Sequence, residues 1–193
     1  MSVYNAIKYD PINAGSLTLI STFTSDGSDA TADFTSGIDS TYKEYLFIIN
    51  NIHPETDGAN FLFQVDTGTN TSYNQTITST FFTAFHKEDD ATPGVEYTTS
   101  LDQGQGTAFQ NLNSSSGNGN DECSSGTLRI FNPASGTFIK HFFSRFSSYI
   151  ENDQMTDLHV AGYVNTTTAL TRVQFKFNSG EIQAGTIGLF GVK

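Results

Sequence analysis

Along this chain apolar side chains return at every second position. In NFLFQVD they are Phe61, Phe63 and Val65; in LTLISTFT, residues 17–24, they include Leu17, Leu19 and Phe23; in ATADF they are Ala30, Ala32 and Phe34. A spacing of two places such side chains on one face of a β-strand, because successive strand residues point to opposite sides. A face of that kind has to be buried against another layer. Composition agrees: the chain of 193 residues has 17 Phe and 8 Tyr, and only 15% charged residues. Aromatic side chains pack well on a pleated surface, whereas few Leu, Lys and Glu leave little to drive a helix.

Further segments carry the pattern on. KEYLFIIN, residues 43–50, is apolar on both faces, as a central strand is. TITSTFFTAF, residues 76–85, reads as extended, and VEYTT and TAFQNL are weaker candidates between Val95 and Leu112. Residues 113–126, NSSSGNGNDECSSG, read as a polar surface loop that should tolerate deletion of 114–121. The last third holds TLRIFN, TFIKHFFSRFSSYI, MTDLHVAGYV, TRVQFKFN and TIGLFGV. In TFIKHFFSRFSSYI, Phe138, Phe142, Phe146, Tyr149 and Ile150 also fit a helical face, but Ser and Phe are mediocre helix formers, so a strand is expected. Many short strands at close spacing predict a single jelly-roll-like antiparallel β-sandwich, all-β, of about eight to ten strands. It would occupy residues 17–193, after an irregular arm, 1–16, broken by Pro11 and Gly15. Only Lys193 follows TIGLFGV. A strand that ends a chain stays ordered when it is paired on both sides, so an interior position is expected, with Ile187, Leu189 and Val192 in the core.

The formal charge is −11, from 20 Asp and Glu against nine Lys and Arg. That field repels phosphate backbones, so no nucleic acid is expected as a partner. The opening MSVYNAIKYD lacks a basic stretch followed by an apolar run, so no secretory leader is expected. The longest apolar run, Tyr45–Ile49, is far short of the ~20 residues of a membrane helix, and no membrane insertion is expected. Cys123 is the single cysteine, which excludes an internal disulfide; its acidic neighbours are expected to raise the thiol pKa.

Motifs for catalysis are missing: there is no GxxxxGK loop, no GxSxG elbow and no HExxH pair. His53, His86, His141 and His159 are scattered, although His141 and His159 fall on strands that could bring them together. The acidic loops DGSD (26–29), KEDD (87–90) and NGNDE (118–122) offer oxygen ligands of the kind calcium takes. None matches the twelve-residue calcium loop. No cofactor is therefore expected, a structural divalent cation being the one for which the sequence leaves room, and no enzymatic activity is expected.

Two pairs of adjacent aromatics carry more information. Phe81–Phe82 and Phe142–Phe143 each put one ring inward and one outward on a strand. The outward rings, assigned to Phe82 and Phe143, need a cover: another sheet, a loop or a neighbouring chain. A homo-oligomer is expected, a trimer first. The apolar side chains of the arm, Val3, Tyr4, Ile7, Tyr9 and Ile12, are a second candidate attachment surface.

Four stretches, MSVYNAIKY, VDTGTNTSYN, IFNPASGTFIKHF and SGEIQAGTIGLFGVK, together resemble small structural proteins of tailed bacteriophage virions, many from marine and cyanobacterial phages. Such proteins carry an early GSLTLIS-like strand, a DTGxNxSY-like turn and a closing GTIxLYGIK-like strand; here Phe190 and Val192 replace the Tyr and Ile. The resemblance implies a non-enzymatic virion component made in the host cytoplasm, a capsid decoration or fibre module held by other capsid or tail proteins. The alternative it leaves is a receptor- or glycan-binding tip domain of a tail fibre, with a host-surface glycan as partner. It carries over no catalytic residue.

Overall fold

A computed structural model describes residues 16–91 and 93–193. They form twelve strands, more than the eight to ten expected, and no helix among the described residues. The strands are β1 (Leu17–Thr24), β2 (Ala32–Phe34), β3 (Glu44–Pro54), β4 (Phe61–Thr67), β5 (Ile77–Lys87), β6 (Gly94–Tyr97), β7 (Gln110–Asn111), β8 (Ser124–Phe131), β9 (Lys140–Ile150), β10 (Gln154–Val164), β11 (Leu170–Phe177) and β12 (Ile182–Val192). TFIKHFFSRFSSYI is a strand from Lys140 onward, as its poor helix formers require.

Two antiparallel sheets pack face to face as a β-sandwich. One has eight strands in the order β1-β12-β3-β8-β9-β10-β5-β6; the other has four, β2-β11-β4-β7. The hairpins β5–β6 and β9–β10 extend the large sheet. The eight strands left without them, renumbered in chain order, run 1-8-3-6 in one sheet and 2-7-4-5 in the other. Successive strands change sheet at every step but that from 4 to 5, which is the jelly roll.

Phenylalanines fill the space between the sheets. Phe175 of β11 stacks on Phe61 of β4, with ring centres 5.7 Å apart, and meets Phe47 of β3 edge-on at 5.1 Å. Phe63 of β4 meets Phe142 of β9 at 5.0 Å, and Phe34 of β2 meets Phe47 at 5.2 Å. These offset and edge-to-face arrangements add to the large area each ring removes from water.

β12 is an interior strand, between β1 and β3. Ile187 and Leu189 are fully buried. Val192 is not in the core: it lies opposite Leu17 and Glu44 on the other face of the sheet, because Leu189 and Val192 are an odd number of residues apart and so alternate in direction. The register of β12 against β3 shifts on both sides of Ala184, next to Gly185. Gly185 has φ +120°, and a Cβ there would come within 2.8 Å of the Asn51 carbonyl and Ile52, so only glycine fits this bulge.

The segment 113–126 is not the surface loop expected. Asn113, Ser116 and Ser124 are fully buried, and β8 begins within the segment. Asn113 Oδ1 accepts from the Phe61 amide at 2.5 Å, while Asn113 Nδ2 donates to the hydroxyls of Ser116 (2.6 Å) and Ser124 (2.9 Å). Polar residues here saturate one another's hydrogen bonds, which is what makes their burial tolerable. Composition reads them as loop because it does not register mutual pairing.

Two consequences can be measured by urea denaturation. Ile187→Ala and Leu189→Ala should each cost about 2–5 kcal/mol, since each leaves a cavity in a close-packed interior. Asn113→Ala should cost about 1–3 kcal/mol by stranding the Phe61 amide, and deletion of 114–121, which removes Ser116, should destabilise rather than be tolerated. A loss below ~0.5 kcal/mol for Asn113→Ala would contradict the buried network.

Candidate functional site

The two sheets treat their outer faces differently. On the small sheet the outward residues of β4 are covered by the chain itself. Gln64 is fully buried and its side-chain amide donates to the carbonyls of Gln75 and Ala108 at 3.0 and 2.9 Å. Asp66 is also fully buried: Oδ1 accepts from the Thr67 amide, Asn70 Nδ2 and Gln75 Nε2, and Oδ2 accepts from the Tyr73 amide at 2.8 Å. The stretch VDTGTNTSYN is thus a loop folded around one carboxylate. On β11, Lys176 lies over the Phe109 ring at 4.2 Å, and Gln174 Nε2 donates to Asp33 at 2.7 Å.

The large sheet has no such cover among the described residues. Of the eight exposed large hydrophobic residues there, seven lie on its strands: Leu17, Leu19, Phe82, Val95, Tyr97, Phe143 and Met155. Pairing registers place all seven on the outer face, opposite the core. One row reads Tyr97, Phe82, His159, Arg145 and Thr127 across five strands. Phe82, 42% exposed, stacks flat on His159 with ring centres 4.8 Å apart, and Phe143, 46% exposed, lies 5.2 Å from Phe131. Phe81 and Phe142 are buried. The alternation expected of the two aromatic pairs is the one observed. Sequence reading missed Val95, Tyr97 and Met155; the available signal was their register with Ala84, Phe82 and His86, which needs the strand pairing. It also put Leu17 and Leu19 on the buried face with Phe23, whereas a bulge between Leu19 and Ser21 turns only Phe23 of the three inward.

Charges on this face are paired. Arg145 holds Asp157 through two bonds, 2.8 and 2.7 Å, His159 adds a contact to the same carboxylate at 3.2 Å, and Arg129 pairs with Glu44. The Arg145 guanidinium, ahead of other causes, holds the Asp157 carboxyl below the usual range. In a chain of charge −11 these pairs make the face locally close to neutral. Eight strands at ~4.8 Å spacing and up to ~30 Å long give a face of about 1,000 Å². A standard interface buries about 800 Å² per partner.

A second exposed ring sits at one end of the sandwich. The bonds Leu170 N to Pro133 O and Thr171 Oγ1 to Gly68 O gather the loops 67–75, 132–139 and 165–169. Lys140, fully buried, donates from Nζ to the carbonyls of Ser135, Phe138 and Thr166 at 2.6, 3.0 and 3.1 Å, and burial pulls its pKa down. The stretch IFNPASGTFIKHF is therefore a pinned loop, and it presents Phe138 to solvent.

The candidate ligands of the sequence are not gathered into one site among the described residues. His141 packs on Tyr163 and His159 on Phe82, four residues apart along β10, so the two imidazoles share no site. Asp26 accepts from both the amide and hydroxyl of Ser28, and Asp29 from the Asp26 amide, so DGSD caps its own turn. Asp90 pairs with His86, and Glu122 accepts from the Gly119 amide. No group of three potential metal ligands occurs among the described residues. The Cys123 thiol pKa is raised, but by burial rather than by its acidic neighbours. The arm residues Val3, Tyr4, Ile7, Tyr9 and Ile12 lie outside the described residues.

The rim of the outer face carries a pH response. Scarce water around the Tyr149 ring, then the carboxylates of Glu88, Asp153 and Asp121, push its phenol up to about 12. Burial raises Tyr45 and Tyr73 as well. The folded state thus holds these protons longer than the unfolded chain, whose phenols ionise near 10. The associated stability is complete below about pH 10 and is lost as pH rises toward 12. Urea midpoints should fall across that window, and Tyr149→Phe should shallow the fall; an unchanged slope would contradict the assignment.

Comparison of the chain with protein-family models, with curated proteins and with solved structures finds no match.

Proposed function

We propose that this chain is a non-enzymatic structural component of a bacteriophage virion, a capsid decoration or fibre module that works by adhesion. The open outer face of the large sheet carries the reading. It is broad, apolar and locally neutral, whereas the corresponding face of the small sheet is closed by its own loops. A broad face that gathers seven exposed large hydrophobic side chains is the mark of a contact surface, and repetition by symmetry is the common way to cover it. The assembly is a homotrimer joined through this face. Its lack of net local charge removes the like-charge repulsion that two strongly acidic chains otherwise feel. The virion setting rests on the likeness of the four sequence stretches to phage structural proteins, and from the host cytoplasm the chain passes into the particle.

Light scattering on purified protein is expected to give three times the 21.0 kDa chain mass. Replacing both Phe82 and Phe143 by Ser should yield a monomer with unchanged β-sheet circular dichroism, because both rings lie outside the core. Density for the protein should then be found on intact particles at symmetric positions. A monomer at micromolar concentration that also fails to occupy particles would refute the proposal.

A further inference from the structure

The unequal widths of the sheets leave a second feature, on the inner side of the molecule. Where β9, β10, β5 and β6 run past the four-stranded sheet, loops 98–101 and 113–115 stand over them and enclose a cleft of ≈ 480 Å³. That lies within the ~300–1,000 Å³ of small-molecule sites. Thr83, Glu96, Thr98, Ser100, Asn152 and Gln154 line it. None of these six side chains makes a hydrogen bond within the described residues, unlike the network around Asn113 a few residues away. Thr83 is the telling one. It is only 5% exposed, its hydroxyl has no partner among the described residues, and the residue lines the cleft. A hydroxyl so placed is satisfied by whatever occupies the cleft, water or ligand.

The lining selects the ligand class. It has no Lys, Arg or His, so an anionic ligand finds no counter-charge. It has hydroxyls, three amides and one carboxylate, which together accept and donate to many hydroxyl groups. Phe85, Leu101 and Ile150 add apolar surface beside them. Phe85 lies over Gly94 so closely that a Cβ there would stand 2.7 Å from the ring tip; the bare glycine is what lets the ring lie over β6. A ring that is polar at its rim and apolar on its C–H face meets both kinds of wall.

We propose that this cleft binds neutral carbohydrate, with Thr83, Gln154 and Glu96 hydrogen-bonding ring hydroxyls and Phe85 packing against the C–H face. The site lies on the opposite side of β5 and β6 from the exposed rings and does not depend on the proposed role in a particle.

Saturation-transfer NMR and calorimetric titration with maltose, cellobiose, lactose and N,N′-diacetylchitobiose test it, with 3′-sialyllactose as the anionic comparator. At least one neutral disaccharide should bind saturably, in the roughly millimolar range of small polar sites. Sialyllactose should bind no tighter than lactose. Thr83→Val and Glu96→Gln should each weaken binding about fivefold, the value of one net hydrogen bond, while Leu19→Ser, at the opposite edge of the large sheet, leaves it unchanged. No saturable binding of any neutral probe at tens of millimolar would overturn the proposal. So would binding that both cleft variants leave intact while circular dichroism shows them folded.

Discussion

Phe175 is where the two sheets are joined. Its ring stacks on Phe61, meets Phe47 across the sandwich, and touches Phe34 and Phe63. Those partners come from three strands, β2, β3 and β4, so a single side chain ties the first third of the sequence to the last. Rings of this size fix the separation of the layers, and the strands must then present their remaining side chains in registers compatible with that separation.

The rest follows from an inequality. A sheet of four strands cannot cover one of eight. The uncovered inner part needs another roof, and the segment between β6 and β7 supplies it. Ser79 exchanges bonds with Gln103, Ile77 with Gly106, and the Ser79 hydroxyl reaches Gln110. This segment also occupies the edge of β5 that the short β6 leaves free, which closes a site for unwanted strand pairing. Where the roof does not reach, the cleft remains. The outer face of the wide sheet has no roof of its own among the described residues, and it is there that the exposed aromatic rings collect.

Buried polar groups do a different task. Asp66 gathers one loop, Lys140 pins two, and Asn113 closes a third. Each is satisfied several times over in a medium where an unpaired polar group is costly. Such groups add little net stability, but an alternative loop conformation would strand them. Long polar loops consequently hold one shape, and Phe138 is held out at the end of one of them.

Period-two spacing and a shortage of helix formers were enough, from sequence, for the strands, the sandwich and the inward and outward halves of Phe81–Phe82 and Phe142–Phe143. These are local properties: between bulges, the direction of a side chain in a strand depends only on parity. What parity cannot tell is which strand lies beside which. That Val192 leaves the core, that Val95, Tyr97 and Met155 join Phe82 on one surface, that His141 and His159 stay apart, and that the serines near Asn113 are interior all depend on pairings between residues far apart in the chain. So does the cleft, whose walls come from five separate stretches. Neighbours in sequence determine which way each side chain points; only the closed sandwich, through burial and long-range hydrogen bonding, decides what it meets.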